Sequence, residues 1–388
     1  MALAEGVRAM TSTDTHKFSI LIIEDEAGPR DALKMILRPF YDLYTADNAH
    51  TAMRLLRELK IDLVTLDLKL PDRQGVDLLQ DIKLEREDAE VIIITGYGSL
   101  KSAMDGIRYG AAAYLLKPFN VTELISLINQ TLEKKQRLDR LRALLKTPLL
   151  HWGTESEAAE SWRLLSDEYC SVAQTRRGGH IRLDEYSEFA PVLSDLLEAK
   201  SRALFNHCCR VSCYAVLLGE HLDLPAGERR ALAIGAFLHD IGRVGIDEQA
   251  TTRPGGLGYQ TRDLLQRHPE IGARMVLPLR LPAEVGQIIS YHHEQYDGSG
   301  YPYGLQGDGI PRLARIVGIA QAFDHLAMEH PALHSPQAFE EAAEQIRRLG
   351  GSRFDPSLAE LFARVIADTK ASIPALVTSP RSTALPKS

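Results

Sequence analysis

His292-His293-Glu294-Gln295-Tyr296-Asp297-Gly298-Ser299-Gly300-Tyr301-Pro302 sets two adjacent imidazoles, two carboxylates and a Gly-Tyr-Pro turn within eleven residues. Upstream lie the pair His239-Asp240 and two further histidines, His207 and His268. His207 falls in a helical run, His239-Asp240 ends the apolar helix Ala231–Leu238, His268-Pro269 opens another helix, and His292-His293 close one that starts near Pro282. Strand signals are nearly absent from Lys200 to Ile366 and helical periodicity dominates, which predicts an all-α domain. Bundles build internal metal sites by placing ligands at helix ends and on facing helices. Neutral imidazoles suit Fe, Mn, Zn or Ni, an aspartate can bridge two ions, and a pair of ions suits phosphodiester cleavage. His151, His180 or His334 alone reads as a surface or hydrogen-bonded histidine, and His239-Asp240 alone as a polar helix end. The combination is what favours a metal centre.

The whole chain has 388 residues, which suggests two or three domains. Its 45% hydrophobic and 25% charged residues are those of an ordinary globular protein. A net charge of -7 with no Lys/Arg-rich run argues against a large nucleic-acid footprint, and the second half lacks a basic recognition helix, so no DNA binding is expected. No apolar run is long enough to insert in a membrane. The first sixteen residues are polar and lack the core of a signal peptide, so a cytoplasmic location is expected. Cys170, Cys208, Cys209 and Cys213 have no CxxC spacing, and the last two read as small core residues of one helix.

Within an expected domain 17–133, residues 17–120 alternate apolar runs (Ser19–Ile23, Leu63–Leu66, Val91–Ile94, Ala112–Leu116) with amphipathic segments near Arg30–Leu37, Ala49–Leu59, Val76–Lys83 and Leu100–Tyr109. That pattern implies an α/β doubly wound fold around a five-stranded parallel sheet, with Pro71, Gly75, Gly96, Gly98 and Lys117-Pro118 in the loops after the strands. In such folds the site lies at the carboxyl ends of the strands. Glu24-Asp25 follows the first strand, Asp67 ends the third, Thr95 ends the fourth and Lys117 follows the fifth, so strand-end placement gathers them. Clustered carboxylates suit Mg²⁺, and one of them could accept a phosphoryl group while Thr95 and Lys117 stabilise its oxygens. From Val121 to about Lys146 the chain reads as one long helix, within a linker spanning 121–150. Leu124, Ile128, Leu132, Leu138, Leu141 and Leu145 form an imperfect heptad seam, consistent with a dimeric coiled coil or with a terminal helix packed on its own domain. Residues 151–199 read as a helical connector without a motif, 200–370 as the metal-bearing domain, and the Pro/Ser/Thr-rich tail 371–388 as disordered.

Two resemblances emerge from these motifs. Residues 18–133 resemble the receiver domain of two-component response regulators, with Asp67 in Leu66-Asp67-Leu68-Lys69-Leu70-Pro71-Asp72 at the phosphoacceptor position. The resemblance implies a Mg²⁺ site at Glu24, Asp25 and Asp67, switch residues Thr95, Tyr114 and Lys117, and a sensor histidine kinase as partner. Residues 200–366 resemble the HD-GYP family, metal-dependent phosphodiesterases of cyclic di-GMP; the matching positions include Ile310-Pro311-Arg312-Leu313-Ala314-Arg315-Ile316. This implies a bacterial protein with two divalent transition metals, Fe or Mn, one held by His207, His239 and Asp240 and the other by Asp240, His268, His292 and His293. It also implies substrate contacts from Arg243, Asp297, Tyr301, Arg312 and Arg315, a homodimer, and a protein partner at the Gly-Tyr-Pro loop. The chain departs from the HD-GYP pattern at four places. Gln321 stands where a metal-binding aspartate is expected, with Asp324 one helical turn on. Arg243 replaces a lysine, Ala203 replaces the glutamate of trinuclear members, and His330 and Leu333 replace basic residues. These departures make a catalytically weak domain, acting as a cyclic di-GMP sensor or interaction module, the alternative to an enzyme.

Overall fold

Why five strands pair here is visible in the alternation of their side chains. In a computed structural model of the protein, which describes residues 17–96, 102–103, 105–106, 109–173, 186–246, 265–330 and 335–369, the strands are β1 (Ser19–Ile23), β2 (Asp42–Ala46), β3 (Leu63–Leu66), β4 (Glu90–Thr95) and β5 (Ala113–Leu116). All pair in parallel, in the order β2-β1-β3-β4-β5. Because strand side chains alternate between faces, Leu21, Ile23, Val64, Leu66, Val91 and Ile93 build one core. Ile20, Ile22, Leu63, Ile92, Ile94 and Leu115 build the other. Helices α1 (Ala27–Leu37), α2 (Ala49–Glu58) and α3 (Gly75–Glu85) cover them. β2 had no apolar run to announce it: Asp42–Ala46 is an edge strand, buried only at Ala46. The segment Leu100–Tyr109 and Gly98 lie largely outside the described residues. The register places Ile23 beside Leu66, Leu66 beside Ile93, and Thr95 beside Leu116, so the expected strand-end residues share one edge.

Packing divides the chain into two compact units, Met1–Lys135 and Gln136–Ser388. Helix α4 (Val121–Leu145) spans that division. Its Leu124, Ile128 and Leu132 are buried in the core of the first unit, and its Leu138 and Leu141 in the core of the second. The coiled-coil expectation is thereby corrected, since five of the leucines and isoleucines counted toward the seam are already covered within one chain.

The second unit is helical: α5 (Glu155–Ala173), α6 (Tyr186–Lys200), α7 (Arg202–Gly219), α8 (Ala226–Leu238), α9 (His268–Val276), α10 (Ala283–Tyr291), α11 (Arg312–Glu329), α12 (Pro336–Arg348) and α13 (Pro356–Thr369), with a 3₁₀ turn at Ile241–Gly245. The expected boundary at residue 200 does not survive. Trp162, Phe189, Leu193, Leu196 and Leu197 belong to the same core as the helices that carry His207, His239, His268 and His292. Trp162 stacks edge-on against Trp152 and Phe189, and its Nε1–H donates to the Met275 carbonyl at 2.6 Å. A buried indole needs such an acceptor. Leu333 and the tail 371–388 lie outside the described residues. Among the described residues no helix is long and apolar enough to cross a membrane.

Candidate metal centre and phosphoacceptor site

His207, His239, His268 and His292 each reach the centre from a helix end or a facing helix. Ser201 caps α7 by accepting the Leu204 N–H, which starts the helix that carries His207. His239 ends α8, Asp240 begins the 3₁₀ turn, His268 opens α9 with Pro269 in its first turn, and His292 ends α10. Gly242 lets these elements meet, because a Cβ there would lie 1.9 Å from the His268 carbonyl oxygen. No side chain can stand there without driving α9 away from Asp240.

The result is two ligand sets that share one carboxylate. His207, His239 and Asp240 form one cluster; Asp240, His268, His292 and His293 form the other. Asp240 Oδ2 lies 3.9 Å from His207 Nε2 and 3.8 Å from His239 Nε2. Its Oδ1 lies 3.1 Å from His268 Nε2 and 3.9 Å from His292 Nε2. The outer nitrogens fix the tautomers. His239 Nδ1–H donates to Ala236 O (2.7 Å), His268 Nδ1–H to Leu265 O (2.6 Å) and His292 Nδ1–H to Ile289 O (2.9 Å). Carbonyls only accept, so each Nδ1 carries the proton and each Nε2 turns a lone pair inward. His207 is held likewise, its Nδ1 2.7 Å from Asp324 Oδ2.

Inside, His207 and His239 bring Nε2 atoms to 3.3 Å, and His268 and His292 to 3.2 Å. Two lone pairs at that distance repel, and a cation between them removes the repulsion. Protonation is a poor substitute here. Burial pushes the His239 imidazolium pKa down to about 4 and that of His293 to about 3, and burial with the neighbouring His293 lowers His292 well below its usual value. Burial also opposes charge on Asp240, but the neighbouring His239 and His268 and the Arg243 guanidinium outweigh it, and the carboxyl stays well below the usual range. The donor set of neutral imidazoles around one anionic bridge therefore fits a pair of divalent ions.

The surrounding residues divide into those that hold the ligands and those that do not approach them. Tyr301 stacks on His293, rings 4.6 Å apart and 19° from parallel. Glu294 ties down the Gly-Tyr-Pro loop, accepting from Tyr303 N at 2.8 Å and Leu305 N at 2.9 Å. Gly300 lets that loop close, since a Cβ there would sit 2.2 Å from Gln295 N. Arg243 Nη1 lies 3.4 Å from Asp240 Oδ2, at the rim. Asp324 is unavailable as a replacement ligand: besides His207 it accepts from Arg210 Nε at 2.7 Å and Nη2 at 2.9 Å. Arg210 escaped the sequence reading, although it stands one turn after His207 on α7, and so did His325, which stacks on His207 at 4.9 Å.

Three further residues expected at the substrate have partners or positions of their own. Asp297 Oδ1 accepts from Ser299 N and Oγ at 2.9 and 2.6 Å, closing a turn in its own exposed loop. Arg315 Nη1 is committed to Asp308 and Asp355, both at 2.7 Å. Arg312 is the exposed first residue of α11. His330 pairs with Glu341 at 3.0 Å.

In the first unit, Glu24, Asp25 and Asp67 form a third cluster able to hold a cation. Lys117 Nζ bridges Glu24 Oε2 (2.5 Å) and Asp67 Oδ2 (2.7 Å), and the other Asp67 oxygen accepts from Lys69 N at 3.1 Å. Burial lowers the affinity of Lys117 for its proton, but hydrogen bonds and charge from Asp67 and Glu24 outweigh it and raise its pKa. Burial raises the Glu24 pKa, and Glu24 Oε1 is buried without a hydrogen-bond donor. Thr95 is fully buried beside them at the end of β4. Tyr114 reaches Ser102 Oγ at 3.2 Å.

These arrangements match two families in turn. Residues 20–129 match the response regulator receiver domain and residues 191–358 the HD domain. The chain is a receiver domain followed by an HD domain. The HD domain is a metal-dependent hydrolase fold, and with its His292–Pro302 signature the chain is a receiver–HD-GYP fusion. It is similar to a probable cyclic di-GMP phosphodiesterase of Vibrio cholerae, 28% identical over 375 residues, which are 91% of this chain and 79% of that one. A cyclic di-GMP phosphodiesterase of Thermotoga maritima is 26% identical over 354 residues, 89% of this chain and 90% of the relative. The cyclic di-GMP phosphodiesterase response regulator RpfG of Xanthomonas campestris is 28% identical over 356 residues, 89% and 87%. These relatives therefore span both domains of the fusion.

Proposed function

We propose that this receiver–HD-GYP protein is a response regulator that hydrolyses cyclic di-GMP, with phosphorylation of Asp67 controlling the hydrolysis. The observation that carries the reading is Asp240, whose two oxygens each face a separate pair of imidazoles. The relatives' activity supports the substrate, because they span both domains. Two divalent ions, Fe or Mn, would be held by His207, His239 and Asp240 and by Asp240, His268, His292 and His293. When bound, such a pair activates water at neutral pH and neutralises charge on a phosphodiester.

The chain's own residues do the rest. Outward Nδ1–H bonds keep each Nε2 aimed inward, Tyr301 fixes the plane of His293, and the buried shell excludes bulk water. Arg243, at the rim beside Asp240, is the cation placed to meet a phosphate oxygen. Water adds across one P–O3′ bond, the oxygen joining phosphorus and the 3′ oxygen leaving with a proton. The product is the linear dinucleotide pGpG, and a second cleavage gives GMP. In the receiver domain Glu24, Asp25 and Asp67 would hold Mg²⁺ while a sensor histidine kinase supplies the phosphoryl group, with Thr95 and Lys117 meeting its oxygens and Tyr114 completing the switch. This reading makes the protein a bacterial cytoplasmic homodimer that can also meet a protein partner through the Gly-Tyr-Pro loop.

Metal analysis of the purified protein tests the centre. Two transition-metal ions per chain are expected after anaerobic loading, and loss of both in Asp240→Asn, which weakens the shared bridge. Retention of both ions by Asp240→Asn would remove the observation on which the reading rests. Cyclic di-GMP binding without turnover in the fully loaded protein would instead make the domain a sensor.

A further inference from the structure

Gln321 sits on α11 between two residues that touch the centre. Three residues earlier, Gly318 backs onto the His292 carbonyl, its Cβ position 3.0 Å from that oxygen. Three residues later, Asp324 holds His207. Positions three apart share a helix face, so Gln321 is presented to the side where His207 and the His292 backbone stand. Its side chain is buried, and its Oε1 has no hydrogen-bond donor among the described residues. An unsatisfied buried carbonyl is costly, so an oxygen left in this state beside a cluster of lone pairs asks for a cation. Asp324 cannot take the role, because His207 and the two Arg210 nitrogens occupy its oxygens.

We propose that Gln321 Oε1 is a neutral ligand to the ion held by His207, His239 and Asp240, which makes the two ions of the centre unequal. The inference rests on the dinuclear reading above. The ion among Asp240 Oδ1, His268, His292 and His293 has three imidazoles and the closer carboxylate oxygen, with His268 at 3.1 Å. The ion at the other end has two imidazoles, the more distant carboxylate oxygen and an uncharged amide, so nothing beyond the shared Asp240 balances its charge. The first is tight and the second loose. The loose site fills only when transition metal is plentiful, which makes metal supply a second input to the protein beside phosphorylation.

The test is a Mn²⁺ titration of metal-free full-length protein, followed by the electron paramagnetic resonance signal of free Mn²⁺, with excess Mg²⁺ present to fill the receiver site. Two binding steps separated by about tenfold or more are expected, the scale on which supporting residues alter metal affinity. His239→Ala should delete the weaker step only. Gln321→Glu keeps the shape, adds a charge, and should tighten the weaker step about tenfold with the tighter step unmoved. Gln321→Leu should raise the Tm of the metal-free protein, by removing an unsatisfied oxygen, while weakening the second step. Equal steps in the wild type, or a weaker step indifferent to both Gln321 variants, would overturn the proposal and leave the dinuclear reading intact. No Mn²⁺ uptake at all would defeat that reading as well.

Discussion

At the scale of single residues, the centre depends on which atom of each imidazole faces inward. The sequence could supply the histidines but not their tautomers, which come from the carbonyls of Ala236, Leu265 and Ile289. Those acceptors lie three residues before their histidines, a local helix-end geometry that carries no residue-type signal. Long-range pairings were equally illegible. Arg315 read as a substrate contact because it belongs to a family motif, and its ion pair with Asp355 forty residues away had no signal of its own. Asp297 read the same way and proves to close its own turn. The six residues of the two candidate ligand clusters stood out in the sequence because the contiguous signature around His292-His293 gave the others their context. Tyr301 offers a residue-scale prediction. Its ring, not its hydroxyl, meets His293. Tyr301→Phe should keep cyclic di-GMP hydrolysis within about twofold, and Tyr301→Ala should lower it about tenfold, the size of effect seen when a ligand loses its support. Steady-state rates at saturating metal would check both; equal losses would assign the role to the hydroxyl instead.

At the scale of elements, the parallel sheet was readable because β1, β3 and β4 are buried on both faces and therefore predominantly apolar. The edge strand β2 was not, since Asp42 is exposed and Leu43, Tyr44 and Thr45 are only partly covered. Helices α5 and α6 were read as a connector because nothing in their sequence marks a partner 113 residues on, yet Trp162 donates to Met275 at the end of α9. That helix opens with His268, so α5 supports the metal-bearing elements from outside. Trp162→Ala should destabilise the helical unit by about 3–5 kcal/mol, the cost of emptying a large aromatic site. Thermal unfolding followed by circular dichroism would measure it. A shift no larger than that of an exposed substitution would return α5 to the status of a linker.

At the scale of the whole molecule, the apolar residues of one helix, α4, enter both cores, which makes it the covalent route between the proposed phosphoacceptor and the proposed hydrolytic centre. A change in receiver packing has that covalent route toward the second unit. A phosphodonor should therefore change the cyclic di-GMP hydrolysis rate of the wild type by several-fold and leave Asp67→Asn unmoved, and an identical response from the two would dissociate the domains. The sequence does not encode the direction of that change, because the switch is a difference between two packings and not a motif. The central claim lies in the HD-GYP domain. Its most direct test is to load the full-length protein anaerobically with Fe²⁺ or Mn²⁺, incubate it with cyclic di-GMP and separate the products chromatographically. The account predicts pGpG or GMP from the loaded protein and none after chelation; intact cyclic di-GMP alongside a fully occupied two-metal centre would contradict it.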